Sequence, residues 1–240
     1  MAEHAESKNL TPAFGQASVA DTATSLVPQM TLFISGSFGA GKSTVTRFIT
    51  DELAGRGHEV CTILLDEIGH ELLVCDDKLL EILVESFGDE ILSPDGQIDR
   101  SALAAAGFAD EASHTALNAI MHPPILARAV ARLAAHATAD FCVVETPLPF
   151  SILESTPGHG SEYLRKAREN GCVVLVTAPL ELRLQRVIDK GFTVDDACAR
   201  MAVQPDEAAY RLGADLHLEN DGDLDMLHYL VSVLAEGLCR

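Results

Sequence analysis

Apolar residues along this chain gather in short runs, and between the runs they recur with helical spacing. The runs at 31–35, 60–65, 141–146 and 173–177, with a short last segment at 216–219, predict five strands. Helices are predicted over about 42–54 (closed by Gly55 and Gly57), over 163–170, after Pro179 and over 224–238. Proline suits the opening of a helix because its missing N–H costs little there. From 67 to 136 the pattern is helical, with breaks expected at Ser93-Pro94-Asp95-Gly96 and at His122-Pro123-Pro124. The stretch 151–161 carries Pro157-Gly158-His159-Gly160 and reads as a surface loop. Continuously apolar strands alternating with helices predict an α/β fold, a parallel sheet covered on both faces. The helical stretch between the second and third strands is too long for a simple crossover. It is a candidate substrate-binding insertion.

Hydrophobic residues make up 48% of the 240, enough for one sizeable core. Residues 1–29 are small, polar and aperiodic and lack the pattern of a signal peptide, so a loose tail is expected ahead of a single domain. No apolar run approaches the length that spans a membrane. The formal net charge is −19. So acidic a surface repels nucleic acid and anionic membranes, leaving small molecules as the expected partners. None of the six cysteines forms a Cys-x-x-Cys pair, which points to buried free thiols in a reducing cytoplasm. The nine histidines show no metal-ligand spacing.

Gly36-Ser37-Phe38-Gly39-Ala40-Gly41-Lys42-Ser43, followed by Thr44, fits Gly-x-x-x-x-Gly-Lys-Ser between a predicted strand and a predicted helix. The glycines let backbone N–H groups turn inward and cradle phosphate oxygens. The helix N-terminus adds its positive end. Lys42 is expected to reach the β- and γ-phosphates, and the Ser43 hydroxyl to ligate Mg²⁺. ATP and Mg²⁺ are therefore the expected cofactors, and γ-phosphoryl transfer to a small molecule the expected reaction.

Two carboxylates follow strands. Asp66 comes after the second, at the end that faces the ligand crevice of a parallel sheet. It reads either as the base that takes a proton from an acceptor hydroxyl or as a helix cap. Glu145 ends the third strand and reads either as a group orienting water on Mg²⁺ or as a cap on the turn before Pro147. Arg183, Arg186 and Lys190 fall on one helical face. In so acidic a chain they suggest a lid closing on phosphates; the other reading is a solvated face beside Glu181 and Asp189.

Taken in order, these pieces resemble the dephospho-coenzyme A kinase family. Asp66 and His70 match the acid and histidine after its second strand. Phe87-Gly88-Asp89-Glu90-Ile91-Leu92, Asp95-Gly96-Gln97-Ile98-Asp99-Arg100, Leu103, Phe108-Ala109-Asp110, His122-Pro123 and Pro147-Leu148 follow in family order. Ala178-Pro179, Arg186, Arg200 and Gln204 are similar to its lid, and Ala214-Asp215, Asn220 and Gly222 to its closing motif. Leu64 stands where the family has a first acid, Ser151 where it has another, and Lys190 where it has a second lid arginine.

The resemblance implies a three-layer P-loop kinase fold with a five-stranded parallel sheet. It divides the chain into a core of 30–66 and 138–240, a coenzyme A-binding helical insertion of about 67–137 and a lid of about 183–204. It implies transfer of the ATP γ-phosphoryl group to the ribose 3′-hydroxyl of dephospho-coenzyme A. By resemblance His70, Arg100 and His122 bind the acceptor. Arg100 pairing with Asp99 or a neighbouring carboxylate, and His122 fixing a turn before Pro123, are the structural alternatives. Two further readings are a kinase for another acceptor on the same scaffold and a nucleotide-binding regulator without transfer.

Overall fold

The computed structural model describes residues 27–155 and 159–240; all but the end of the expected tail lies outside them. In chain order the elements are β1 (Met30–Ser35), α1 (Lys42–Gly55), β2 (Val60–Leu64), α2 (Leu65–Cys75), α3 (Asp77–Phe87), α4 (Arg100–Gly107), α5 (Glu111–Ala135), β3 (Phe141–Glu145), α6 (Phe150–Ser155), α7 (His159–Glu169), β4 (Gly171–Thr177), α8 (Leu180–Asp189), α9 (Val194–Ala202), α10 (Glu207–Arg211), β5 (Leu216–Glu219) and α11 (Leu224–Leu238).

The five strands form one parallel sheet in the order β2-β3-β1-β4-β5. Strand side chains alternate between faces, and both faces are covered. Leu32 and Ile34 of β1 join Val45, Ile49, Leu227 and Val231 under α1 and α11. Phe33 joins Ile63, Leu72, Leu83, Leu126 and Leu133 on the opposite face. The helical stretch between β2 and β3 thus shares its apolar cluster with the sheet. Parallel pairing aligns the strand ends: Ile34 and Leu64 both lie opposite Glu145. The ligand crevice of such a sheet opens at these carboxyl ends.

Two expectations are corrected. The break at His122-Pro123-Pro124 is absent, and α5 runs through both prolines. Proline removes N–H donors within a helix, but Leu126, Ala129 and Leu133 bury the following turns and hold the helix together. The expected loop at 151–161 contains the end of α6 and the start of α7. Tyr163, Leu164 and Ala167 bury one face of α7. That carries its helix back to His159 and leaves only 156–158, outside the described residues. The break near Ser93 is present, closed by an antiparallel bridge between Leu92 and Ile98. Among the described residues no helix is long and apolar enough to cross a membrane. Cys61 and Cys142 are buried free thiols and Cys172 is half-buried, but Cys75, Cys198 and Cys239 are exposed, so the expected burial holds for two of the six.

Candidate active site

β1 runs into the loop 36–41, and α1 opens at Lys42. Gly41 caps α1 in a left-handed conformation with φ 99°, and a Cβ there would strike the Asn220 amide. Gly39 has φ 81°, and a Cβ there would come within 2.6 Å of the Arg183 carbonyl oxygen. These two glycines let the loop turn inward while Asn220, just beyond β5, and α8 press against it.

Lys42 is only 8% exposed. Its Nζ donates to the Ser37 carbonyl at 3.3 Å. Burial pushes the ammonium below the usual lysine range; Asp66 and Glu145 pull against that, and Lys190 and Arg183 add to it. A buried ammonium with three donors and one long hydrogen bond is a ready receptor for an anion.

Ser43 Oγ donates to Glu145 Oε1 at 2.7 Å. Glu145 is buried, and its Oε2 has no partner among the described residues. A serine that gives its proton to a carboxylate keeps its lone pairs for a cation. An unpartnered buried carboxylate oxygen gains from a hydrated divalent ion nearby. The pair therefore fits Mg²⁺. Glu145 caps nothing here: Leu148 N–H bonds to the Thr146 hydroxyl at 3.0 Å. Among the described residues no three His, Cys, Asp or Glu side chains gather to hold a metal. Leu64 lines the same open cleft of about 260 Å³ as Ser43, Thr46 and Glu145.

Asp66 follows β2 as expected, but from within a helix. β2 gives way to α2 at Leu65, so Asp66 is the second residue of α2 and does not cap it. Leu64 is the cap residue and offers no side-chain bond. The buried Leu65 packs in the cluster beneath α2 and draws the helix start forward. Asp66 is exposed, yet its negative charge reaches Lys42, His70 and Arg200 and raises the proton affinity of each.

Arg183 and Arg186 lie in α8, and Lys190 just beyond it. The charges of Arg183 and Lys190 bear on Lys42, so this face turns toward the loop. Arg186 Nη2 donates to the Asn220 carbonyl oxygen at 3.0 Å and to its Oδ1 at 3.3 Å. Its Nη1 is buried without a partner among the described residues. Asn220 Nδ2 donates to the Ala40 carbonyl at 2.8 Å. One asparagine thus braces both the phosphate loop and the arginine, a role that no local pattern announced. Phe38 N–H donates to Gln204 Oε1 at 2.8 Å, which ties the loop to the segment after α9.

Two of the three expected acceptor residues meet. Arg100 Nη2 lies 2.6 Å from His70 Nε2. Burial, then Arg100, holds His70 below the usual histidine range. Asp99 is not the partner of Arg100, because its carboxylate caps α4 through the N–H groups of Ser101 and Ala102 at 2.8 and 3.1 Å. His122 is half-buried within α5 and precedes no turn. Burial, then the neighbouring His114, pushes its pKa down to about 4.

A sequence profile described as dephospho-CoA kinase matches residues 30–226. The chain belongs to the dephospho-CoA kinase family. A dephospho-CoA kinase of Corynebacterium glutamicum is 34% identical over 212 residues, 86% of this chain and 96% of the relative. That of Methylococcus capsulatus is 32% identical over 210 residues, 84% and 96% of the two chains. A crystal structure from Thermus thermophilus superposes with a TM-score of 0.60 at 30% identity, covering 88% of this chain and 98% of that one. The Campylobacter jejuni dephospho-CoA kinase shares the fold, with a TM-score of 0.53 at 21% identity, over 87% and 96% of the chains. Membership of the dephospho-CoA kinase family bears out the expected P-loop kinase fold, the transferase class and the use of ATP.

Proposed function

We propose that this chain transfers the γ-phosphoryl group of ATP to the ribose 3′-hydroxyl of dephospho-coenzyme A, giving coenzyme A and ADP, with the following division of labour. The reading of the site is carried by one observation: the buried Lys42 lies within reach of the charges of both Asp66 and Glu145. Residues Gly36 to Thr44 hold the ATP phosphates, with Lys42 on the β- and γ-oxygens. Asp66 accepts the hydroxyl proton as the oxygen attacks. Arg186, through its unpartnered Nη1, and Lys190 neutralise charge that grows during transfer. Ser43 and the unpartnered Glu145 oxygen are the pair that would hold Mg²⁺, directly or through water. When bound, the ion supplies charge that offsets the phosphate oxygens.

The segment 67–137 contributes His70, Arg100 and His122 to acceptor binding, and 183–204 acts as the lid. Free thiols and the absence of charge complementarity to nucleic acid favour a cytoplasmic small-molecule enzyme.

A coupled assay of ADP release with dephospho-coenzyme A and a panel of nucleosides tests the acceptor. Turnover is expected with dephospho-coenzyme A; turnover with a nucleoside instead would reassign it, and none with any acceptor would favour a regulator. Asp66→Asn is expected to lower kcat by about 10²–10⁴-fold. Its melting temperature should barely move, because Asp66 caps nothing. A fully active Asp66→Asn enzyme would remove the base assignment.

A further inference from the structure

Arg200 lies in α9, yet its guanidinium touches three aromatic rings from three separate segments. Its Cζ stands 5.1 Å from the centroid of Phe108, 5.1 Å from that of Phe192 and 5.8 Å from that of Phe38. Phe38 belongs to the phosphate loop, Phe192 to the turn between α8 and α9, and Phe108 to the end of α4. Phe38 and Phe192 meet edge to face with centroids 5.2 Å apart. Phe108 stacks on His114 of α5 at 5.4 Å. All three rings are only half-buried, an arrangement that core formation does not explain. A guanidinium over aromatic faces is attracted to each of them. Displacing any one ring therefore displaces a cation that the other two hold.

We infer that Arg200, Phe108 and Phe192 form a clasp through which filling of the ATP site and filling of the acceptor site strengthen one another, with Phe108 and Phe192 as positioning residues for the transfer. The inference rests on the acceptor assignment proposed above. Its physical basis is ordering. The first ligand fixes its own segment and, through the rings, part of the other site, so the second has less left to order. The effect must be reciprocal. Arg200 is suitably central, since the charges of Asp66 and Arg100 both reach it.

Calorimetric titration of the full chain with a non-hydrolysable ATP analogue and Mg²⁺, with and without saturating dephospho-coenzyme A, tests this. The reverse titration is run alongside. The wild type is expected to bind each ligand at least about fivefold tighter when the other is present. In Phe108→Leu and Phe192→Leu that ratio should fall toward one, while each ligand alone binds within about twofold of wild type. Phe108→Tyr keeps the ring and should keep the ratio. A purely structural role predicts instead that both separate affinities and the melting temperature fall while the ratio stays, and that result would overturn the clasp. So would undiminished mutual tightening in both leucine variants, or a wild type that binds both ligands independently. A wild type that binds the ATP analogue but no dephospho-coenzyme A would overturn the acceptor assignment itself, and the clasp with it.

Discussion

His122 shows what burial does to one ionisable group. An unfolded chain protonates histidine near pH 6.5, but in the folded protein the pKa of His122 is pushed down to about 4. As pH falls, the unfolded state takes up the proton first. The stability due to the neutral imidazole is complete above about pH 6.5 and is lost as pH falls toward 4. The loss by pH 4.5 should be on the order of 2 kcal/mol. His70 is also held low and contributes in the same direction. Melting temperatures followed from pH 7 to 4.5 should therefore drop less steeply in His122→Gln than in wild type; parallel curves would show that His122 titrates normally. At this scale Lys42, Ser43 and Glu145 were legible because each is tied to a strand end or to a motif of fixed spacing. The helical setting of Asp66 was not, because one buried leucine decides where β2 gives way to α2. Nor was the clasp around Arg200, since its rings are contributed by segments far apart in the chain.

Elements read well where apolar runs were unbroken. All five strands were expected within a residue or two of their observed ends; in β1, β3 and β4, buried on both faces, few polar positions blur the run. The misjudged stretches were those where local chemistry and packing disagreed, as at the two prolines of α5. Helix α8 carries its own prediction. Arg186 divides its guanidinium: one nitrogen braces Asn220, and the other is buried and unpartnered. A donor held in reserve is most useful to charge that exists only during transfer. Arg186→Ala should lower kcat by at least about 10²-fold and weaken ATP binding far less. Arg186→Lys keeps the charge but not the fork, and should remain slow. Unchanged kcat in the alanine variant would leave the arginine as a brace alone.

For the molecule as a whole, the long helical segment between β2 and β3 matters most, because it has no core of its own. Leu133 of α5 is fully buried in the same cluster as Phe33 of β1. Leu133→Ala should cost about 2–5 kcal/mol, and calorimetry should still show one unfolding transition. Two resolved transitions would mean that 67–137 folds as a separate unit. Lys42, Arg183 and Lys190 gather at the mouth of a body of net charge −19, so attraction for phosphate is local, set by the fold and not by composition. The Asn220 brace carries this dependence on the fold into the protein's synthesis. Its amide bonds to Ala40, 180 positions earlier. A ribosome adding about 5–20 residues per second needs roughly ten to forty seconds between those two residues. During that interval the nascent chain displays a complete phosphate-binding motif without the residue that holds it in shape. The loop is therefore expected to take its final shape only once the segment carrying Asn220 has been made.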